Sequence, residues 1–268
     1  MKRIISLTLV VIMTLSCCLM LGSCELLEQF LSDSKKDPEE VKDTTVTEEE
    51  WNAAFILGDN ITIIAESASS EKMTAPTLSL EAEYVSRSTN INKYTETAWY
   101  SKSTVYNKTV ENGEINENTH ENDSYETLNN DDGEWYRVYK NSDGEWVASR
   151  NYKNSIMIFA QVENIIGAKI NFSDFTFNSD KKAYTRIFDA TRLGGMVPFK
   201  EGTIDIYFID GAIVKIEITM SGSVSQEQKV SSGEVTTVIT EVQTAVTITF
   251  SDCGTTKVEV PSYTILGY

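Results

Sequence analysis

Cys24 stands where an apolar run gives way to an acidic, polar chain, and Cys253 lies near the C-terminus. A thiol works as a nucleophile when a histidine is oriented toward it. The chain has one histidine, His120, set in a polar, acidic stretch that reads as a loop. Hydrolysis by a Ser-His-Asp arrangement would depend on that same residue, so Cys253 reads as a buried or idle thiol. No His-rich zinc spacing and no glycine-rich phosphate loop is present. The chain holds 40 acids, yet nothing in their spacing identifies a glycosidase pair. The segments "DDGEWYRVYK" (131–140) and "SDGEWVASR" (142–150) invite a test as calcium loops, which need an acid in the first place, Gly in the sixth and Glu in the twelfth. With Gly133 sixth the ends are Leu128 and Tyr139, and with Gly144 sixth they are Tyr139 and Arg150, so both fail. The expectation is a protein that is not an enzyme and needs no metal or cofactor.

Cys24 has a different chemistry open to it. Lys2 and Arg3 form a positive start, and Ile4 to Leu21 is apolar apart from Ser6, Thr8, Thr14 and Ser16. That pattern is a secretory signal peptide, whereas a permanent span needs about 20 predominantly apolar residues. Leu21-Gly22-Ser23-Cys24 resembles the bacterial lipobox, and Thr14-Leu15-Ser16-Cys17 is a poorer match because Thr14 stands where Leu is preferred. The resemblance implies a signal peptide over 1–23, cleavage before Cys24, and diacylglycerol on its sulfur. The protein is then lipid-anchored at the extracytoplasmic face of a bacterial membrane, with the membrane as its first partner. The alternative for Cys24, a disulfide to Cys253, loses because lipidation consumes the thiol. Two or three acyl chains hold a protein on a bilayer far more firmly than one does.

Removing residues 1–23 deletes two cationic side chains and no acid, which leaves 21 Lys and Arg against 40 acids, a net charge of −19. Such a surface repels phosphate backbones, which argues against nucleic acid as a partner and against peripheral membrane binding by charge. Residues 32–46, charged and without apolar periodicity, complete a lipidated N-terminus and solvated tether over 24–46. A single β-rich domain is expected over 47–268.

Thr47 followed by Glu48, Glu49 and Glu50 fits a capping box opening a helix with Trp51, Ala54 and Phe55 on one face, ending near Gly58. Beyond it the period becomes two. Ile61, Ile63 and Ala65 alternate, as do Leu78, Leu80, Ala82 and Tyr84, and Tyr94 to Val110 reads as one long strand or a hairpin. Residues 111–134 hold nine acids and no Lys or Arg, which predicts a mobile, wet hairpin end. The Asp-Gly pairs at 132–133 and 143–144 predict tight hairpins. A second helix is expected over 155–166, with Ile158, Phe159, Val162, Ile165 and Ile166 on its stripe. Phe175 and Phe177 enter another hairpin that returns through Tyr184 and Ile187. Ile204, Ile206 and Phe208 lead to the Asp210-Gly211 turn, with Val214, Ile216, Ile218 and Met220 alternating out of it. Val238, Val242, Val246, Ile248 and Phe250 share one face of a long final strand.

About nine long strands against two short helices predict a mainly β fold. The expected form is a curled antiparallel sheet, a half-open barrel, with the helices packed on its concave side over an apolar hollow. The lipobox, the helix preceding each set of strands and the closing "TFSDCGTTKVEVP" at 249–261 together resemble the LolA-like and LppX/LprG-like bacterial lipoproteins. That resemblance implies a lipid or acyl-chain ligand, with Tyr84, Trp99, Phe159, Phe175, Phe177 and Phe208 as candidate lining residues. The competing expectation is a surface lipoprotein, not an enzyme, that binds a protein or envelope polymer through its acidic hairpins. The anchor is checked first: Cys24→Ala should abolish acylation and leave an unprocessed precursor or release the protein, as read by intact mass and membrane fractionation. A processed, lipid-modified Cys24→Ala product would refute the lipobox assignment.

Overall fold

The computed structural model describes residues 45–75, 80–153, 155–191, 193, 199–229 and 235–266. Cys24, Leu78 and the signal-peptide and tether assignments up to residue 44 lie outside them. Helix α1 (Glu48–Ala54) precedes β1 (Ile61–Ala75), β2 (Leu80–Tyr94), β3 (Ala98–Glu111), β4 (Glu114–Leu128), β5 (Trp135–Lys140) and β6 (Trp146–Asn151). Helix α2 (Ile158–Ile166) precedes β7 (Thr176–Asn178), β8 (Ala183–Asp189), β9 (Phe199–Ile209), β10 (Ala212–Lys229), β11 (Val235–Ser251) and β12 (Thr264–Ile265). All twelve strands join one sheet in the order β12-β6-β5-β4-β3-β2-β1-β11-β10-β9-β8-β7. Its end strands, β12 and β7, do not pair with each other, so the sheet is not closed into a barrel. Every pairing is antiparallel except that of β12 with β6.

Directly opposed residues share a face of the sheet, and the register sorts the side chains accordingly. One row runs Ala65, Ile248, Ile216, Ile206 and Tyr184 across β1, β11, β10, β9 and β8. Ile63, Phe250, Ile204, Phe208 and Ile218 lie on the same side, and this apolar face carries both helices. The Thr47 capping box forms as expected: its hydroxyl accepts from the Glu50 amide while the Glu50 carboxylate accepts from the Thr47 N–H at 2.8 Å. Helix α1 ends at Ala54, short of Gly58, where the Ile56 N–H turns back to the Ala53 carbonyl. Trp51 is then 0% exposed, its ring 5.0 to 5.5 Å from those of Phe55, Phe172, Phe175, Tyr184 and Phe208. Phe159 of α2 sits between Phe55 and Phe250, at 4.7 and 5.6 Å.

The opposite face has its own cover. After β11, Asp252 and Gly254 adopt positive φ and reverse the chain, and the Gly254 N–H donates to the Asn60 carbonyl at 2.8 Å. The buried Thr256 hydroxyl meets that of Thr62 at 3.1 Å. From there the C-terminal segment crosses the sheet as a strap. Val260 and Tyr263 pack on Tyr136, Val138 and Ala148. Thr264 and Ile265 then pair alongside Val147 and Ala148 of β6.

Several expectations change. Residues 114–128 are not a loose hairpin end but a continuous strand, paired with β3 from Ala98↔Thr127 to Glu111↔Glu114, and His120 lies within it. Its acids fit a strand because residues 114–122 are exposed, where charge costs little. Among the described residues the sheet has twelve strands, the expected long ones joined by the short β5, β6 and β7 of the expected hairpins and by the two-residue β12, which carries no period of its own. Val214 is an extra residue in the β9–β10 ladder, and this bulge lets Ile213, not Val214, take the buried place opposite Phe208. The Asp-Gly turns form as expected, with Gly133 and Gly144 at φ of 71 and 80° and Trp135 and Trp146 opening β5 and β6. Two substitutions test this core in denaturant melts. Trp51→Ala should cost about 3 to 5 kcal/mol, and a loss under about 1 kcal/mol would show that α1 lies outside the cooperative core. Gly202→Ala should cost about 1 to 3 kcal/mol, because an added Cβ overlaps the Phe188 ring and Met220.

Candidate functional site

Of the six candidate lining residues, four gather around α1. Phe175, Phe208 and Phe159 join the ring assembly centred on Trp51, and Phe177 touches Tyr184 at 5.2 Å. Trp99 lies on the same face in a neighbouring group, 4.9 Å from Tyr94 and 6.1 Å from Trp135. Tyr84 shares the face but stands apart, ten residues along β2 from Tyr94, or about 33 Å at strand rise. Its hydroxyl donates to Glu111 at 2.8 Å, and that bond, followed by burial, pushes its ionisation upward.

The helix-bearing face also holds polar atoms that a packed core does not explain. Trp51 Nε1, Trp99 Nε1, Ser69 Oγ and Thr244 Oγ1 are buried without a hydrogen-bond partner. Ser69 and Thr244 oppose each other across β1 and β11 and are 0% and 1% exposed. Thr240 continues this hydroxyl-bearing stretch away from the helices, while Ser67, whose hydroxyl meets that of Ser88 at 2.8 Å, lies between Ser69 and Ala65 on the helix side. Buried polar groups are nearly always paired, and each one left unmade costs about 1 to 3 kcal/mol.

On the opposite face, β8, β9 and β10 carry a charged network. Asp205 and Glu217 oppose each other directly. Lys181 binds Asp205 at 2.6 Å and Lys215 binds Glu217 at 2.9 Å, so each carboxylate has its own ammonium. Thr185 donates to Asp205, and Tyr207 donates to Glu217 at 2.6 Å while its ring lies 4.0 Å from the Lys215 ammonium. Burial, then the bond to Glu217, raises the Tyr207 ionisation far above the usual tyrosine range. Nothing here is poised as a nucleophile. Cys253 is exposed on its turn, and His120 is exposed on β4, which β1, β2 and β3 separate from β11. Among the described residues no three His, Cys, Asp or Glu side chains gather as a metal site.

A cleft of about 320 Å³ opens where the strap passes over β2, β3 and β4. Lys93, Tyr100 and Tyr125 form its floor and Lys257, Val258 and Glu259 its strap wall. Lys93↔Tyr100 and Tyr100↔Tyr125 are consecutive cross-strand pairs, so the three form one row. The tyrosine rings lie 4.9 Å apart, and Trp146 stands 5.3 Å from Tyr125. Burial raises the ionisation of both phenols, aided by Asp123. A second cleft, of about 460 Å³, lies further along β2 and β3 beside Arg87, Tyr106 and Lys108.

The sequence analysis did not reach Lys93, Tyr100, Tyr125 or Lys257. A signal for part of the set existed: Tyr100, Lys102, Thr104, Tyr106 and Lys108 alternate on β3 and share one face. Lys257 joins only through the strap. The chain's sequence matches no protein-family model and no curated protein.

The titration of Tyr207 has a definite sign. Its proton is held more tightly in the folded than in the unfolded chain, so its contribution to stability is complete below about pH 10 and is lost as pH rises above that value. Urea melts at about pH 8 and about pH 11 should therefore show a smaller alkaline loss for Tyr207→Phe than for the wild type. Equal losses would show that Tyr207 ionises as freely in the fold as in the unfolded chain.

Proposed function

We propose that this chain is a membrane-tethered extracytoplasmic lipoprotein that carries a lipid or other acyl-chain ligand against the helix-bearing face of its sheet. The observation that carries the reading is the placement of Trp51 Nε1, Trp99 Nε1, Ser69 Oγ and Thr244 Oγ1, buried and unpaired on one apolar face. An amphiphile suits the chemistry of that face, because the Ile and Phe rows under the helices are apolar while the buried indole N–H groups and hydroxyls lack partners. Covered by α1 and α2, that face would curl as the half-open barrel of the LolA-like group does, with the helices on its concave side. The rings packed around Trp51 occupy the end of the face near the helices, so the ligand's polar part belongs toward Ser69 and Thr244. The anchor at Cys24 would keep the carrier at the membrane from which such a ligand comes.

A second reading, a surface lipoprotein that binds a protein or envelope polymer without catalysis, is favoured by one feature of β4. Residues 114–122 are exposed on both faces and present Glu114, Glu117 and Glu121. Mass spectrometry of the natively purified protein separates the two: a co-purified lipid supports the carrier and a clean apo mass the surface binder. Thr244→Val sharpens the test. It should reduce retained lipid while stabilising the ligand-free protein by about 1 kcal/mol, since an unpaired hydroxyl is replaced by a methyl. Unchanged lipid retention in Thr244→Val would remove the polar anchor from the carrier reading.

A further inference from the structure

We infer that the cleft beneath the C-terminal strap is a second binding site, independent of the lipid-carrying face, and that it takes an acidic saccharide, a hydroxylated ring bearing a carboxylate.

The charge balance of the protein makes its lysines informative. Acids outnumber Lys and Arg by 40 to 23, so a base on the surface has carboxylates in excess around it. Lys72, Lys102 and Lys108 on this same face have found theirs, in Glu81, Glu121 and Glu117. Lys93 and Lys257 have not: both line the cleft, one from β2 and one from the strap, and neither is in an ion pair among the described residues. Two lysines without a carboxylate partner thus line one hollow of an acidic protein. A carboxylate between them would gain charge-assisted hydrogen bonds from both sides.

The rest of the lining names the other features of the ligand. Tyr100 and Tyr125 supply rigid, amphipathic ring surface at low entropic cost, which fits the apolar face of a sugar ring. Their protonated hydroxyls donate and accept. Glu259 on the strap accepts hydrogen bonds from ligand hydroxyls and would repel a bare anion, so a ring carrying both hydroxyl and acid groups is favoured over inorganic phosphate. The volume of about 320 Å³ suits one ring of a chain that continues past the open sides. Along β3 such a chain would meet Lys102, Tyr106 and Lys108 on the same face, toward the second cleft, about 20 Å from Tyr100 at strand rise. The strap itself is fixed by Thr256 on Thr62 and by β12 on β6, so the cleft is preformed.

Isothermal titration of the soluble mature domain tests this, with tetragalacturonate, its fully methyl-esterified form and inorganic phosphate as probes. Tetragalacturonate should bind, the ester should bind at least about tenfold more weakly, and phosphate should not displace the acid form at equal concentration. Lys93→Gln and Lys257→Gln should each weaken tetragalacturonate about tenfold, and Tyr100→Ala should weaken the acid and the ester alike. Lys257 is exposed while Lys93 and Tyr100 are half-buried, and an unchanged thermal melt checks that the variants fold. Equal binding of acid and ester, displacement by phosphate, or wild-type affinity in both lysine variants would overturn the proposal. Lipid co-purifying with Lys93→Gln reads the other site, so failure here leaves the carrier reading intact.

Discussion

Burial of Trp51 is the contact on which the helix-bearing half of the molecule depends. A helix of seven residues is too short to persist in water by its own hydrogen bonds, so α1 exists because its indole is withdrawn into the rings of β8, β9 and the segment before β7. Those rings gain the same protection in return. Tyr184 is drawn in further by its hydroxyl, which bonds the Val46 backbone at both its N–H and its carbonyl and so ties the segment before α1 to β8. The capping box settles where the helix starts, and Trp51 settles where it docks.

One sheet of long strands has two broad faces, and the two short helices among the described residues cannot cover both. The solution is a change of face along the sheet. Around β1 and β8 to β11 the apolar rows lie under the helices, while around β4 to β6 they lie under the C-terminal strap. Between the two, the β3–β4 hairpin is left with polar and charged residues on either side, and its acids and asparagines keep an exposed edge from recruiting other strands. The two proposed sites follow from this division. The unpaired buried polar atoms fall on the helix-bearing face and the unpaired lysines under the strap, so an apolar ligand and an acidic, hydroxylated one would not compete for space.

The charged network of Asp205, Glu217, Lys181, Lys215 and Tyr207 shows how β8 to β10 can keep a polar outer face beside a mainly apolar inner one. Each carboxylate has its own ammonium and a hydroxyl donor, which satisfies the buried charge on Asp205. The same accounting makes the free ammonium groups of the strap cleft informative.

Much of the local structure was legible in the residues. The Thr47 box, the Asp-Gly turns and the period-two rows of β1, β9, β10 and β11 are local patterns, in which chemistry within a few residues decides the outcome. The acids of β4 misled for the same reason: composition speaks of solvent exposure, which the strand has, and not of backbone pairing, which its neighbour β3 supplied. The bulge at Val214 was likewise invisible, because only the β9 register shows that a residue is extra. The sequence by itself determined the period-two strands β1, β9, β10 and β11, the Thr47 helix cap and the Asp-Gly turns. Tertiary structure alone decided which face each half of the sheet buries, that Trp51 fills the space between helix and sheet, and that Lys257 meets Lys93 across a cleft. The physical reason is sequence separation: a side chain's neighbours along the chain set its backbone, but partners more than a hundred residues away, brought by strand order and by the strap, set what it touches.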